Sequence, residues 1–282
     1  MRLAVGFVAL FCCVNLFAQE LPLYYGSAFL TGYQDKSLKN DDLKNALFNI
    51  LSQGHLKNPN APDTLVASCA GTTQIQDVDG TVKKCEQHTP LGYDPARKKL
   101  FGQLYLKQSA DGQYSVTDVY CEHTFTDLDF KGVKTFGPDL VPISGNLVNT
   151  EHTWPQSRFT NRFPKDTQKS DLHHLFPTDS QANSQRSSIH FGNVIKLAEP
   201  SKCSQDKLGQ QADGTIVFEV PDSQKGHTAR AIFYFATRYQ MKIAPTEEAA
   251  LRDWNKRFPV DAEEFARNNA IEALQGNRNP YI

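Results

Sequence analysis

Between residues 147 and 187 the chain runs strand, polar loop, short apolar run and helix in succession, and this order constrains the fold more than any other feature. Residues 147–152 read as a strand, and Pro155 breaks it just downstream. A polar, basic loop then extends to Ser170. Residues 172–176 are compatible with a second short strand, which Pro177 stops. Thr178-x-x-Gln181 has the form of a capping box and opens a predicted helix through about Ser187.

The surrounding chain is mostly helical. Apolar residues at helical spacing predict helices over 38–51, 227–243, 247–258 and 262–275, with Gly54 a stop after the first. In the helix over 227–243, Phe233, Tyr234, Phe235 and Tyr239 are read as core residues rather than stacking platforms for bases. Residues 99–106 and 114–120 alternate enough to be strands joined by the Ala110-Asp111-Gly112 turn. Residues 57–98 are rich in turn formers, and residues 127–146 are broken by glycine and proline. The expected fold class is α+β, with the strand–loop–strand–helix unit set inside a mixed, mostly helical single domain over 19–282.

The N-terminus has the composition of a processing segment. Met1-Arg2 is a short positive start, residues 3–17 are mostly apolar, and Ala18-Gln19 offers a cleavage point. The apolar stretch is too short to span a bilayer. We therefore expect a signal peptide over 1–18 and a secreted or periplasmic protein with no membrane association. Cys12 and Cys13 leave with the leader; Cys69, Cys85, Cys121 and Cys203 remain. An even number in an exported chain without a Cys-x-x-Cys spacing points to disulfides. Four cysteines allow three pairings. The favoured one joins Cys69 to Cys85 around Gln76-Asp77-Val78-Asp79-Gly80, leaving Cys121 for Cys203 across the central unit.

Charge gives little support for an extended phosphate-binding surface. The chain carries 30 Lys and Arg against 31 Asp and Glu, where nucleic-acid binders usually have a basic balance. Between residues 151 and 202, however, seven basic residues face five acids.

Histidine clusters in this same region. Four of the chain's eight histidines fall between positions 152 and 190. Glu151-His152 sets a hard oxygen ligand beside a base that titrates near neutrality. Asn183 offers a second oxygen ligand, and Arg186, three residues on, a cation on nearly the same helix face. One divalent cation, an activated water and a clamped phosphate suffice to hydrolyse a phosphodiester. On a regular strand Glu151 and His152 point to opposite faces, so both reach one phosphate only if the strand ends or bulges there. Of the adjacent His173 and His174, His174 is preferred for a supporting role because it alternates with Leu172 and Phe176. His123 and the Asp77-Val78-Asp79-Gly80 run, a fragment of a calcium-loop pattern, are read as a surface histidine and a plain turn.

Three segments carry a family resemblance: Glu151-His152-Thr153-Trp154-Pro155-Gln156-Ser157, Ser170-Asp171-Leu172-His173-His174-Leu175 and Asn183-Ser184-Gln185-Arg186-Ser187. Two others accompany them, Lys225-Gly226-His227-Thr228-Ala229-Arg230-Ala231 and Gln275-Gly276-Asn277-Arg278-Asn279-Pro280-Tyr281. Together they resemble the bacterial endonuclease I family of exported nucleases, within the ββα-metal, or His-Me finger, class. The resemblance covers residues 147–282 and, loosely, the N-terminal helix; residues 57–135 have no counterpart and read as a disulfide-stapled insertion. It implies that Glu151 and Asn183 bind Mg²⁺, with Mn²⁺ or Ca²⁺ able to occupy the same site, and that His152 activates water. It further implies a sequence-nonspecific endonuclease acting on DNA, with RNA as a second substrate, leaving 5′-phosphates. The protein is expected to be a monomer. Two other readings are a zinc hydrolase using His152, His173 and His174, and a non-catalytic nucleic-acid-binding module.

Overall fold

The computed structural model describes residues 23–142 and 147–282, so the expected leader lies outside the described residues. The chain opens with helices α1 (Ser27–Gln34) and α2 (Asn40–Ser52), then a small antiparallel sheet of β1 (Gly54–Leu56), β2 (Thr64–Val66), β3 (Gln74–Gln76) and β4 (Val82–Glu86) in the order β2-β1-β4-β3. Cys69 and Cys85 are bridged, with Cα atoms 5.7 Å apart, and the Asp77–Gly80 run is the turn between β3 and β4. The segment expected to be loop-rich therefore holds three short strands and a covalent staple.

Residues 99–106, expected as a strand, are largely helical. Helix α3 (Tyr93–Lys99) runs into a wider π turn over Leu100–Leu104. Ala96, Leu100 and Phe101 form its buried face. That spacing is helical, and a window starting at Lys99 cuts it in half. A second antiparallel sheet follows, of β5 (Lys107–Gln108), β6 (Tyr114–Thr117) and β7 (Thr124–Thr126).

Strand β8 (Val148–His152) pairs antiparallel with β9 (Leu175–Asp179), with Thr150 opposite Pro177 and Glu151 opposite Phe176. Pro177 thus lies inside the strand it was expected to end. Pro177 faces the edge of β9 away from β8, where its carbonyl accepts from Val119 N–H and no ladder strand lies, so the missing N–H costs no ladder bond. The loop between them contains a short helix, α4 (Lys165–Ser170), and a 3₁₀ turn over Leu172–His174 where a strand was expected. Helix α4 has no apolar stripe to betray it; Gln168 holds it in place by donating to the carbonyls of Thr160 and Phe163.

Helix α5 (Ser180–Arg186) follows β9 and packs on both strands. Its cap is Asp179, whose Oδ1 accepts from the backbone of Gln181 and Ala182, rather than Thr178. A third sheet, β10 (Lys196–Glu199), β11 (Lys207–Gln210) and β12 (Ile216–Glu219), was not anticipated. Helices α6 (Asp222–Arg238), α7 (Pro245–Arg257) and α8 (Ala262–Gln275) complete the fold; α6 starts and stops about a turn earlier than its apolar stripe suggested. Cys121 is bridged to Cys203, tying the chain before β8 to the chain after α5. Both bridges match the favoured pairing. The architecture is α+β, and among the described residues no helix is long and apolar enough to cross a membrane.

Aromatic packing seats the central unit on α6. Trp154 stacks on Phe235 at 5.2 Å, and Phe159 stacks on the same ring at 5.6 Å. Tyr234, Phe235 and Tyr239 are buried, as expected of core residues.

Candidate active site

Strand β8 ends at His152, and its last two side chains leave in opposite directions. The ladder to β9 runs without a bulge, so alternation holds to the end. Glu151 turns toward Tyr120 and α5, whereas His152 turns toward Tyr93 and the loop carrying α4.

His152 is 6% exposed, and its Nε2 lies 3.1 Å from the carbonyl oxygen of Lys169. A carbonyl can only accept, so Nε2 carries the proton and Nδ1 the lone pair of a neutral ring. The Gln156 amide is the neighbour of Nδ1, at 3.4 Å. Burial, reinforced by His174 beside it, pushes the His152 pKa well below the ordinary imidazole value. His174 meets His152 edge-on at 5.4 Å and donates from Nε2 to the Gln168 carbonyl at 2.7 Å. His173 faces away from His152; its Nε2 donates to the carbonyl of Asn277 and its ring packs on Tyr234.

Asp171 anchors this loop. Its Oδ2 accepts from the hydroxyls of Tyr234 and Tyr239 at 2.7 and 2.8 Å, and its Oδ1 from the Gln275 amide and the His173 backbone. Burial acts to raise its pKa, but the imidazoles of His88, His173 and His174 and the Gln275 amide outweigh that and hold it below the carboxylate range. Burial pushes His88 and His174 down to about 4 and His173 to about 3. At neutral pH these rings are uncharged, so the anion rests on its four hydrogen bonds. Through Asp171, α6 and α8 fix the position of the Lys169 carbonyl that orients His152.

Glu151 is 2% exposed. Its Oε1 accepts from the Tyr120 hydroxyl at 2.7 Å and pairs with Arg186 Nη1 at 2.8 Å, while Oε2 has no hydrogen bond among the described residues. Asn183, on α5, donates its amide to Asn149 Oδ1 at 2.7 Å. Its own Oδ1 is left without a partner among the described residues. Two hard oxygens therefore remain unsaturated where β8 meets α5. They fit a cation that takes few protein ligands and keeps several waters.

Arg186 was expected to clamp phosphate. The structure turns it inward instead: at 1% exposure it pairs with Glu151 and donates to the carbonyls of His152 and Thr153 at 3.1 and 2.7 Å. Its guanidinium also lies 4.4 Å over the Phe191 ring. Spacing on α5 put Arg186 on the right face, but could not show that the end of β8 covers that face.

Tyr120, Tyr93 and Lys169 were missed. Tyr120 sits 31 positions before Glu151, and nothing local marks it as a carboxylate partner. The zinc reading finds no support in the donor set. Among the described residues, the grouping of three His, Cys or carboxylate ligand atoms close enough to share an ion is Cys121, Cys203 and Asp206, whose sulfurs form a disulfide.

The sequence profile of the family described as Endonuclease I matches from residue 39 to residue 282. The chain belongs to the endonuclease I family. The family match also spans residues 57–135, which had no counterpart in the motif reading. Among curated relatives, an extracellular ribonuclease of Bacillus subtilis (strain 168) is 36% identical over 155 residues, covering 48% of this chain and 50% of the relative. An endonuclease-1 of Buchnera aphidicola subsp. Baizongia pistaciae is 31% identical over 114 residues, covering 40% and 46%. An extracellular deoxyribonuclease of Aeromonas hydrophila is 29% identical over 118 residues, covering 40% and 48%. This endonuclease I family member spans about half the length of the curated relatives it matches.

Proposed function

We propose that this chain is an exported, metal-dependent endonuclease that hydrolyses phosphodiester bonds of DNA, and RNA as a second substrate, without sequence preference. The observation that carries the reading is the tautomer imposed on His152. With Nε2–H committed to the Lys169 carbonyl, Nδ1 is left as a base at the last residue of β8. Glu151, on the other face of the strand, keeps a spare oxygen, so one phosphate would have to meet both groups across the strand end. Residues 148–186 would then be the ββα-metal finger of the enzyme. Family membership, the extracellular and periplasmic relatives and the two disulfides support export.

In this reading Glu151 Oε2 and Asn183 Oδ1 hold Mg²⁺, a site that Mn²⁺ or Ca²⁺ can also enter. The bound ion supplies charge stabilisation on the phosphoryl oxygens and the leaving alkoxide. His152 Nδ1 takes the proton from the attacking water. His174 packs against the His152 ring and fixes its plane. Arg186 and Tyr120 keep Glu151 aimed by occupying its other oxygen. Loss of the 3′-alkoxide leaves a 5′-phosphate.

The test is degradation of supercoiled plasmid with and without chelator, alongside end-labelled RNA. Degradation abolished by chelation and restored by Mg²⁺, with 5′-phosphorylated ends, is expected; a gel shift without cutting would identify a binding module instead. Calorimetry should show weaker Mg²⁺ binding in Glu151→Gln and Asn183→Ala than in the parent protein.

A further inference from the structure

With Arg186 occupied by Glu151 and two carbonyls, the cation expected on the phosphate has to come from another residue. Two basic residues touch His152: Lys169, whose carbonyl holds Nε2, and Arg186, which donates to its carbonyl. Arg186 is enclosed, and each of its two terminal nitrogens is bound. Lys169 differs on both counts. It is only partly buried, and its ammonium makes no hydrogen bond or ion pair among the described residues. Nζ lies instead 4.2 Å above the ring of Tyr93, whose centroid is 5.5 Å from that of His152. Arg97, one turn along α3, places its guanidinium 5.9 Å from the same ring.

A lysine stem has about 2 kcal/mol of rotamer entropy to lose, and a ring face offsets part of that by attracting the cation. The Tyr93 ring thus parks the Lys169 ammonium near the base without neutralising it. The backbone adds a constraint, since the Lys169 carbonyl is the group that holds His152 Nε2. One residue therefore orients the base through its main chain and presents a positive charge through its side chain.

We propose that Lys169, held over Tyr93 beside His152, binds a phosphate of the nucleic-acid strand at or next to the cleaved bond and supplies the positive charge that Arg186 does not present. Tyr93 is a positioning residue for that ammonium. The proposal rests on the nuclease reading, but its signature in binding does not require turnover.

The experiment combines cleavage with a salt series. Lys169→Met keeps the carbonyl and the length of the side chain while removing the charge. It should lower kcat/KM on duplex DNA by about tenfold or more, as expected for loss of a stabilising charge; Lys169→Arg should restore most of it. In a His152→Ala background, Lys169→Met should reduce the slope of log K against log salt by about 0.9, the value for one phosphate contact on duplex DNA. Tyr93→Leu should give the same loss of slope, and Tyr93→Phe, which keeps the ring face, should not. An unchanged slope in Lys169→Met would overturn the proposal, whatever the cleavage rate. A parent protein that binds duplex but never cuts would overturn the nuclease reading, while the slope would still decide the role of the lysine.

Discussion

Arg186 Nη1 lies 2.8 Å from Glu151 Oε1 in a site where both side chains are almost wholly enclosed. This pair joins α5 to the end of β8, and Arg186 also caps the carbonyls of His152 and Thr153. Removing one member of a buried pair leaves an uncompensated charge, which costs about 3–5 kcal/mol. Arg186→Met should lower the urea unfolding free energy by that amount. Adding Glu151→Gln should recover part of the loss, because the stranded charge is gone. A surface arginine would show neither effect, so equal stability of Arg186→Met and the parent protein would contradict this placement.

A second prediction concerns pH. Asp206 is buried, its Oδ1 has no hydrogen-bond partner, and its Oδ2 lies 3.2 Å from Cys203 Sγ, which in a disulfide has no proton to give. Burial, with help from Asp118 and Asp179 and against the pull of Ser201, pushes its carboxyl up to about 6. The unfolded chain ionises this group near the ordinary value of about 3.9. Its stabilising contribution is therefore full below about pH 4 and is lost as pH rises through about 6. Asp206→Asn should melt at an increasing advantage over the parent protein between pH 4 and 7, by a few degrees, taking about 2–4 °C per kcal/mol. A difference in Tm that does not change with pH would rule out a raised carboxyl.

Redox state is a third. Cys69–Cys85 closes a separation of 16 residues and Cys121–Cys203 one of 82. Chain-entropy estimates give about 3 and 4.5 kcal/mol, with measured bridges often giving less. Thiol titration of the denatured, unreduced mature protein should find no free thiol, and reduction should lower Tm. Four reactive thiols would contradict both the bridges and export.

The legible parts of this molecule were local. The strand read over 147–152 is β8, and the β-compatible run over 172–176 overlaps the start of β9. The cap signal at Thr178-x-x-Gln181 announced the helix that follows, and the apolar stripes of α7 and α8 set their extents closely. Errors arose where a neighbour in space decides. Pro177 can sit within β9 because its missing N–H faces away from β8, on an edge with no ladder strand where its carbonyl accepts from Val119. Asp179 displaces Thr178 as the cap because its Oδ1 reaches two amides. Arg186 has the spacing of a solvent-facing clamp, yet the end of β8 closes over it. Tyr120 and Tyr93 reach the site from 31 and 59 positions before Glu151 and His152, distances at which no periodicity in the chain operates.

His152, kept neutral by burial and fixed in its Nε2–H tautomer by the Lys169 carbonyl, is the proposed base. The most direct test is single-turnover cleavage of duplex DNA by His152→Ala with saturating Mg²⁺, paired with a binding isotherm on the same DNA. The rate should fall by about 10²–10⁴, the usual contribution of a positioned acid–base group, with affinity nearly unchanged. Cleavage by His152→Ala at close to the parent rate would remove His152 as the base.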